Sequence, residues 1–213
     1  MRYTRLLSLC GAAVLLLAGT CFAQEFNKFA FSAGGGFTEP VIHSDSRFDP
    51  GFNLGFGAGY KLTPRISLMG EFGFNHLGVS SRILDSVGAP NGTGRIYSLT
   101  LDPVLHLTPR GKLDAYLIGG GGYYRRTVEF TEPGIATITA FDPFFGFFPA
   151  NVATNVVLGT FTQNKGGLNI GGGISKRIRG ESNASFFVET RYHYLFTSPV
   201  RTTVLPVTFG FRW

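Results

Sequence analysis

Charged residues are sparse in this chain, at 15% of 213, so those inside regularly alternating segments stand out. Glu71, Asp102, Glu189, Arg191 and His193 all share the parity of the small or polar residues in such segments, opposite the large apolar ones. Glu71 lies six residues after Arg65, Asp102 six before Thr108 and Glu189 six after Asn183, so the three carboxylates are expected at one level, with Arg191 slightly higher. A guanidinium shared by two or three carboxylates is the arrangement that buried charge requires, because an ionised group survives desolvation only when paired and hydrogen-bonded. His193, His106, Lys61 and Arg212 would extend this network. It would act either as a structural plug that fixes register or as a gate on a narrow ion path, and the plug is the simpler reading.

Hydrolytic chemistry needs a nucleophile, a base within hydrogen-bond reach and a group that orients the base. His43-Ser44-Asp45 supplies the types, but neighbours in an extended chain point apart, and His193 with Ser198 is no better. Four scattered histidines and two cysteines, Cys10 and Cys21, have no metal-ligand spacing. The triple glycines are followed by no helix that would cradle a phosphate. The expectation is therefore no catalytic residue, no metal, no cofactor and no enzyme, with a lipid-modifying activity as the competing alternative.

The elements that position these residues have period two. Phe52, Leu54, Phe56, Ala58 and Tyr60 alternate with Asn53, Gly55, Gly57 and Gly59, and the same holds for Leu68, Phe72 and Phe74 and for Phe186, Val188, Tyr192 and Tyr194. Eight such segments are expected: Lys28 to Phe37, Gly51 to Leu62, Ile66 to Leu77, Arg95 to Leu107, Asp114 to Val128, Lys165 to Arg177, Ala184 to Phe196, and Val200 to Trp213. The face that a soluble sandwich would cover with Lys, Thr and Glu is mostly glycine here. Glycine suits the crowded inner wall of a small closed barrel whose outer wall meets lipid. No stretch after residue 24 has the roughly 20 apolar residues of a membrane-spanning helix. Connections alternate between short (around Pro64, Thr108 to Leu113, Ile178 to Asn183) and long (Thr38 to Pro50, Gly78 to Gly94, Glu129 to Asn164), as expected of short periplasmic turns and long outer loops.

Arg2 and Arg5, the apolar run Leu6 to Ala18 and the small residues ending at Ala23 read as a secretory signal peptide over residues 1–23. Acylation of Cys21 is the rival, which Ala18-Gly19-Thr20 fits poorly. Cleavage would remove both cysteines and lower the net charge from +6 to +4, too modest to suggest a nucleic-acid partner.

Leu205-Pro206-Val207-Thr208-Phe209-Gly210-Phe211-Arg212-Trp213 alternates apolar residues and closes on an aromatic, and it resembles the terminal assembly signal of outer-membrane β-barrels. With Phe187 to Tyr194 and the Gly-rich fifth and sixth strands, the chain resembles the OmpA-like and OmpX-like eight-stranded family across residues 24–213. The resemblance implies an all-β, antiparallel up-and-down transmembrane barrel in the bacterial outer membrane, porin-like in architecture, with no peptidoglycan-binding segment after Trp213. It further implies a monomer bathed in outer-membrane lipid and lipopolysaccharide, and delivery by the barrel-assembly machinery through Phe209, Phe211 and Trp213. A structural or surface-interaction role follows, with a small ion channel as the alternative. The third outer connection is unusual in packing Phe141, Phe144, Phe145, Phe147 and Phe148 into nine residues, flanked by Thr and Val stretches able to continue the hairpin beyond the membrane. Exposed aromatic clusters mark contact surfaces, so Phe144, Phe145, Phe147 and Phe148 are candidates for touching lipid, a partner protein or an amphiphilic ligand. A flap folded over the barrel mouth is the competing reading.

Overall fold

The computed structural model describes residues 28–109, 111–178 and 184–213; the signal-peptide expectation falls on residues 1–23, outside them. Eight strands follow one another: β1 (Phe29–Pro40), β2 (Phe48–Lys61), β3 (Ile66–Val79), β4 (Asn91–His106), β5 (Leu113–Asp142), β6 (Gly146–Arg177), β7 (Ser185–Leu195) and β8 (Thr202–Arg212). Each pairs antiparallel with the next, and β8 returns to β1 with Gly34 opposite Gly210, closing the ring. Closure leaves the wall no free edge, which a hydrocarbon phase demands because unpaired backbone groups find no water there.

The period-two pattern sorts the side chains across this wall. Phe31, Phe56, Phe72, Leu99, Leu101, Leu117, Ile170 and Phe209 face outward and exposed, while Ser32, Asn53, Ser98, Thr100, Asn169 and Arg191 are buried inside. On β4 the outward apolar residues run from Leu105 to Tyr97. Eight residues at about 3.3 Å each, on a strand tilted by about 40°, give roughly 20 Å of height, close to the apolar band of about 25 Å in outer-membrane barrels. No helix among the described residues is long and apolar enough to cross a membrane; this chain spans with strands.

Inside, the lumen is layered. An apolar cluster of Phe48, Leu77, Val79, Ile96, Tyr124, Leu195 and Val204 fills the outer end. Ala30, Met69, Val104, Tyr116 and Ile118 form a second cluster nearer the short turns. Polar and charged side chains lie between the two and again at the periplasmic mouth.

Two outer connections differ from the loops expected of them. Between β3 and β4 the chain forms a short helix, α1 (Ser81–Val87), closed by Gly88 in the left-handed region at φ 67°, and Ile83 and Leu84 pack it onto the outer apolar cluster. The stretch from Glu129 to Asn164 is not an open loop: β5 and β6 continue through it as a two-stranded ribbon to Asp142 opposite Gly146. β4 stops pairing with β5 at Asn91 opposite Thr131, and β7 stops pairing with β6 at Leu195 opposite Gly167. Beyond Thr131 the ribbon therefore stands alone, and a register shift between Phe130 and Thr131 marks where it leaves the wall. Thr, Val and Ile along both strands carry the β-propensity that lets the hairpin run on.

Candidate functional site

Arg191 on β7 is the hub of the mid-height layer. Its Nη1 donates to Asp102 Oδ2 at 3.0 Å, its Nη2 to Glu71 Oε2 and its Nε to Glu189 Oε1. The four groups come from β3, β4 and β7, so the ion pairs cross the lumen and tie distant staves of the barrel together. Asp102 and Glu189 also have further partners. Thr100 Oγ1 donates to Asp102 Oδ2 at 2.6 Å and Asn169 Nδ2 to Asp102 Oδ1 at 2.8 Å. Tyr116 Oη donates to Glu189 Oε2 at 2.8 Å, and Arg212 Nη2 lies 3.7 Å from the same oxygen. Asp102 has no solvent exposure at all. Full hydrogen bonding is what makes ionised groups tolerable at such burial. About 60 Å³ of free volume remains beside Glu71, Asn53 and Arg191, room for a few waters and too little for a solute.

Glycine lets the network close at two points. A Cβ on Gly171 would lie 2.1 Å from Thr190 O and 2.9 Å from Arg191 Cγ. One on Gly120 would lie 2.2 Å from Leu101 O and 2.5 Å from Asp102 Oδ1. Both are distances no real Cβ sustains, so the Arg191 and Asp102 side chains occupy space that only glycine vacates.

Of the five residues expected in the network, the structure brings Glu71, Asp102, Glu189 and Arg191 into contact. His193, two residues along β7, is buried one layer further out, where its Nδ1 meets Tyr124 Oη at 2.9 Å, and among the described residues it makes no ion pair. Arg212 joins through Glu189 and stacks its guanidinium over Tyr116 at 4.8 Å and Phe187 at 5.1 Å. His106 and Lys61 do not join. Lys61 is exposed at the periplasmic rim, and His106 is held by Asp114 and Ser67, 2.5 Å and 2.9 Å away. Tyr116, Asn169, Ser67 and Asp114 escaped the sequence reading, although inward parity at strand ends could have flagged the last two. Ser44 accepts a hydrogen bond at 2.8 Å from Thr203 N, which ties the first outer connection to β8. Among the described residues no group of three or more His, Cys, Asp or Glu could hold a metal ion.

At the far end of the ribbon, Asp142 Oδ1 accepts from Phe144 N at 2.8 Å and from Phe145 N at 3.1 Å, an Asx turn. Gly146 closes it at φ 76°, a conformation open to glycine without a steric penalty. The turn pushes Phe144 and Phe145 outward to 91% and 86% exposure, and Phe147 and Phe148 flank them, also exposed. On the wall, Phe209, Phe211 and Trp213 face outward, with Trp213 stacked on Phe31 at 6.4 Å.

Residues 11–212 match the family profile described as outer membrane protein beta-barrel domain. No curated protein matches the chain. Among solved structures, the Neisserial surface protein A (NspA) superposes with a TM-score of 0.56 at 14% identity, covering 86% of this chain and 95% of its own. A major outer membrane protein from Thermus thermophilus gives 0.51 at 13% identity, covering 87% and 98%. At these identities the likeness is one of fold.

Proposed function

We propose a role that starts from a firm premise: this chain belongs to the outer membrane protein beta-barrel domain family and resides in the bacterial outer membrane. The role is contact at the cell surface, made by the β5–β6 ribbon, on a barrel whose lumen is plugged by the Arg191 layer. The exposed phenylalanine tip carries this reading. From Glu132 to Gln163 the chain has two charged residues, Glu132 and Asp142, and no basic one, so little solvation or repulsion opposes an apolar encounter. An isolated two-stranded ribbon is marginal in water, and burying a phenylalanine contributes about 1.5–3 kcal/mol; four of them at one tip make a strong anchor for an apolar surface. Outer-membrane lipid and lipopolysaccharide surround the wall, the assembly machinery reads the Phe209, Phe211 and Trp213 end, and the barrel works as a monomer. At the outer surface the role is binding, with no chemistry.

The test replaces Phe144, Phe145, Phe147 and Phe148 with Ser in cells that display the protein, and measures co-flotation with neutral phosphatidylcholine vesicles. The expected result is loss of flotation with unchanged heat-modifiable gel mobility. Equal flotation of both forms would refute the tip as the contact, and loss of heat-modifiable mobility would assign it to stability instead.

A further inference from the structure

We propose that Ser67, His106 and Asp114 form a hydrolytic triad at the periplasmic mouth of the barrel, acting on small carboxylic esters that carry a negative charge. The three residues come from neighbouring strands, at the end of the lumen opposite the ribbon. Asp114 Oδ2 lies 2.5 Å from His106 Nδ1, and His106 Nε2 lies 2.9 Å from Ser67 Oγ. In the tautomer with the proton on Nδ1, facing the carboxylate, the Nε2 lone pair is left for the serine hydroxyl. This is the order of nucleophile, base and orienting group that defines a triad by geometry, whatever the fold. Asp114 is itself fixed, since Thr108 N donates to its Oδ1 at 3.1 Å, while Thr108 Oγ1 receives Ala115 N at 3.0 Å. The base is thus oriented by a braced turn.

The triad lines an open cavity of about 470 Å³ that also holds Lys28, Lys61, Lys112, Arg177 and Arg212. Among the described residues none of Lys28, Lys61, Lys112 and Arg177 has an ion pair. Lys61 is the direct cross-strand partner of Ser67 and lines the same cavity, where a cation would favour a developing oxyanion. Arg212 is 8% exposed, and its Nε is buried without a hydrogen-bond partner. Such a vestibule concentrates anions. Ser67 is recessed at 4% exposure, which limits the acyl group to a slim one. The Arg191 layer lies above, so substrate enters and product leaves by the periplasmic side.

The chemistry needs only ester and water. Ser67 Oγ adds to the ester carbonyl carbon while its proton passes to His106 Nε2. The tetrahedral adduct collapses, its bond to the alcohol oxygen breaks, and His106 returns the proton to that oxygen, leaving an acyl ester on Ser67. Water then gives a proton to His106 and its hydroxide to the acyl carbon; the carboxylic acid departs and Ser67 recovers its hydrogen.

The experiment uses the folded full chain in detergent. A fluorophosphonate should form an adduct that peptide mapping places on Ser67, and His106→Gln should slow the labelling about 100-fold or more, the scale of general-base catalysis. p-Nitrophenyl hydrogen glutarate should be hydrolysed faster than neutral p-nitrophenyl butyrate, and Lys61→Gln should erase the preference. Asp114 is a positioning residue, so Asp114→Asn should lower kcat while KM stays. Absence of a Ser67 adduct in the heat-modifiable wild type, with ester turnover equal to detergent alone, would overturn the proposal and leave the three residues as a hydrogen-bonded clasp. The wild-type mapping needs no variant to fold, and its outcome is independent of the ribbon.

Discussion

Replacing Arg191 with Met tests the central layer most directly. The substitution keeps an unbranched apolar stem and removes the guanidinium that meets Glu71, Asp102 and Glu189 at once. What remains is three carboxylates in a buried layer, of which Asp102 keeps Thr100 and Asn169 and Glu189 keeps Tyr116 and the more distant Arg212. Among the described residues Glu71 keeps no cation within ion-pair distance. Removing one partner of a buried pair costs about 3–5 kcal/mol, because the other charge is left uncompensated. At about 1.4 kcal/mol per decade that is a loss of two to three and a half decades in the folding equilibrium. With a urea slope of roughly 1–3 kcal/mol per molar, the midpoint should fall by at least about 1 M.

The assay is equilibrium urea unfolding of the barrel in lipid vesicles, read by heat-modifiable gel mobility. A further variant separates charge from packing: Glu71→Gln, Asp102→Asn and Glu189→Gln added to Arg191→Met remove the stranded charges while keeping hydrogen-bonding amides. Coupled residues are non-additive, and this combination should recover more than half of the lost stability. A midpoint for Arg191→Met within about 0.3 M of wild type, a shift no larger than a surface substitution gives, would refute the view that Arg191 holds the layer together.

Gly171→Val should prevent the barrel from closing, because its Cβ would sit 2.1 Å from Thr190 O; refolding into detergent should leave no heat-modifiable band. Asp142→Ala removes the acceptor for Phe144 N and Phe145 N, so chymotrypsin should cut the ribbon tip at least several-fold faster while the barrel fragment stays intact. With only about 60 Å³ free beside Arg191, the wild-type protein in a planar bilayer should show no resolved channel steps, and well-defined unitary openings would count against the plug.

The wall was legible because a barrel converts the alternation of side chains directly into inside and outside. Phe52, Leu54 and Phe56 opposite Asn53, Gly55 and Gly57 state which face meets lipid before any coordinate is known. The mid-height layer was legible for the same reason, with one addition: distances counted from short turns approximate height, which placed Glu71, Asp102 and Glu189 at one level. The outer connections were not, because α1 depends on Ile83 and Leu84 packing against a cluster that draws Phe48, Tyr124, Leu195 and Val204 from segments far apart in sequence. The ribbon was half legible, since Thr and Val stretches flanking the phenylalanines suggested that the hairpin runs on, but nothing local shows where β4 and β7 stop.

The Ser67, His106 and Asp114 grouping was hidden by register. A search for chemistry among sequence neighbours within a strand looks where an extended chain separates side chains. In a sheet the neighbours that touch lie across strands, here 39 residues apart for Ser67 and His106. Ser67 faces Val104, and His106 lies two residues further along β4, opposite Tyr116. Asp114 stands two residues before Tyr116 on β5, so the three side chains follow the strand tilt as a diagonal on one inward face. Glu71 and Asp102 keep the same offset, Glu71 facing Thr100 with Asp102 two residues further along β4, and Arg191 reaches both from β7 across the lumen. In a closed barrel of this size, inward polar residues are therefore better grouped by height and tilt than by position in the chain.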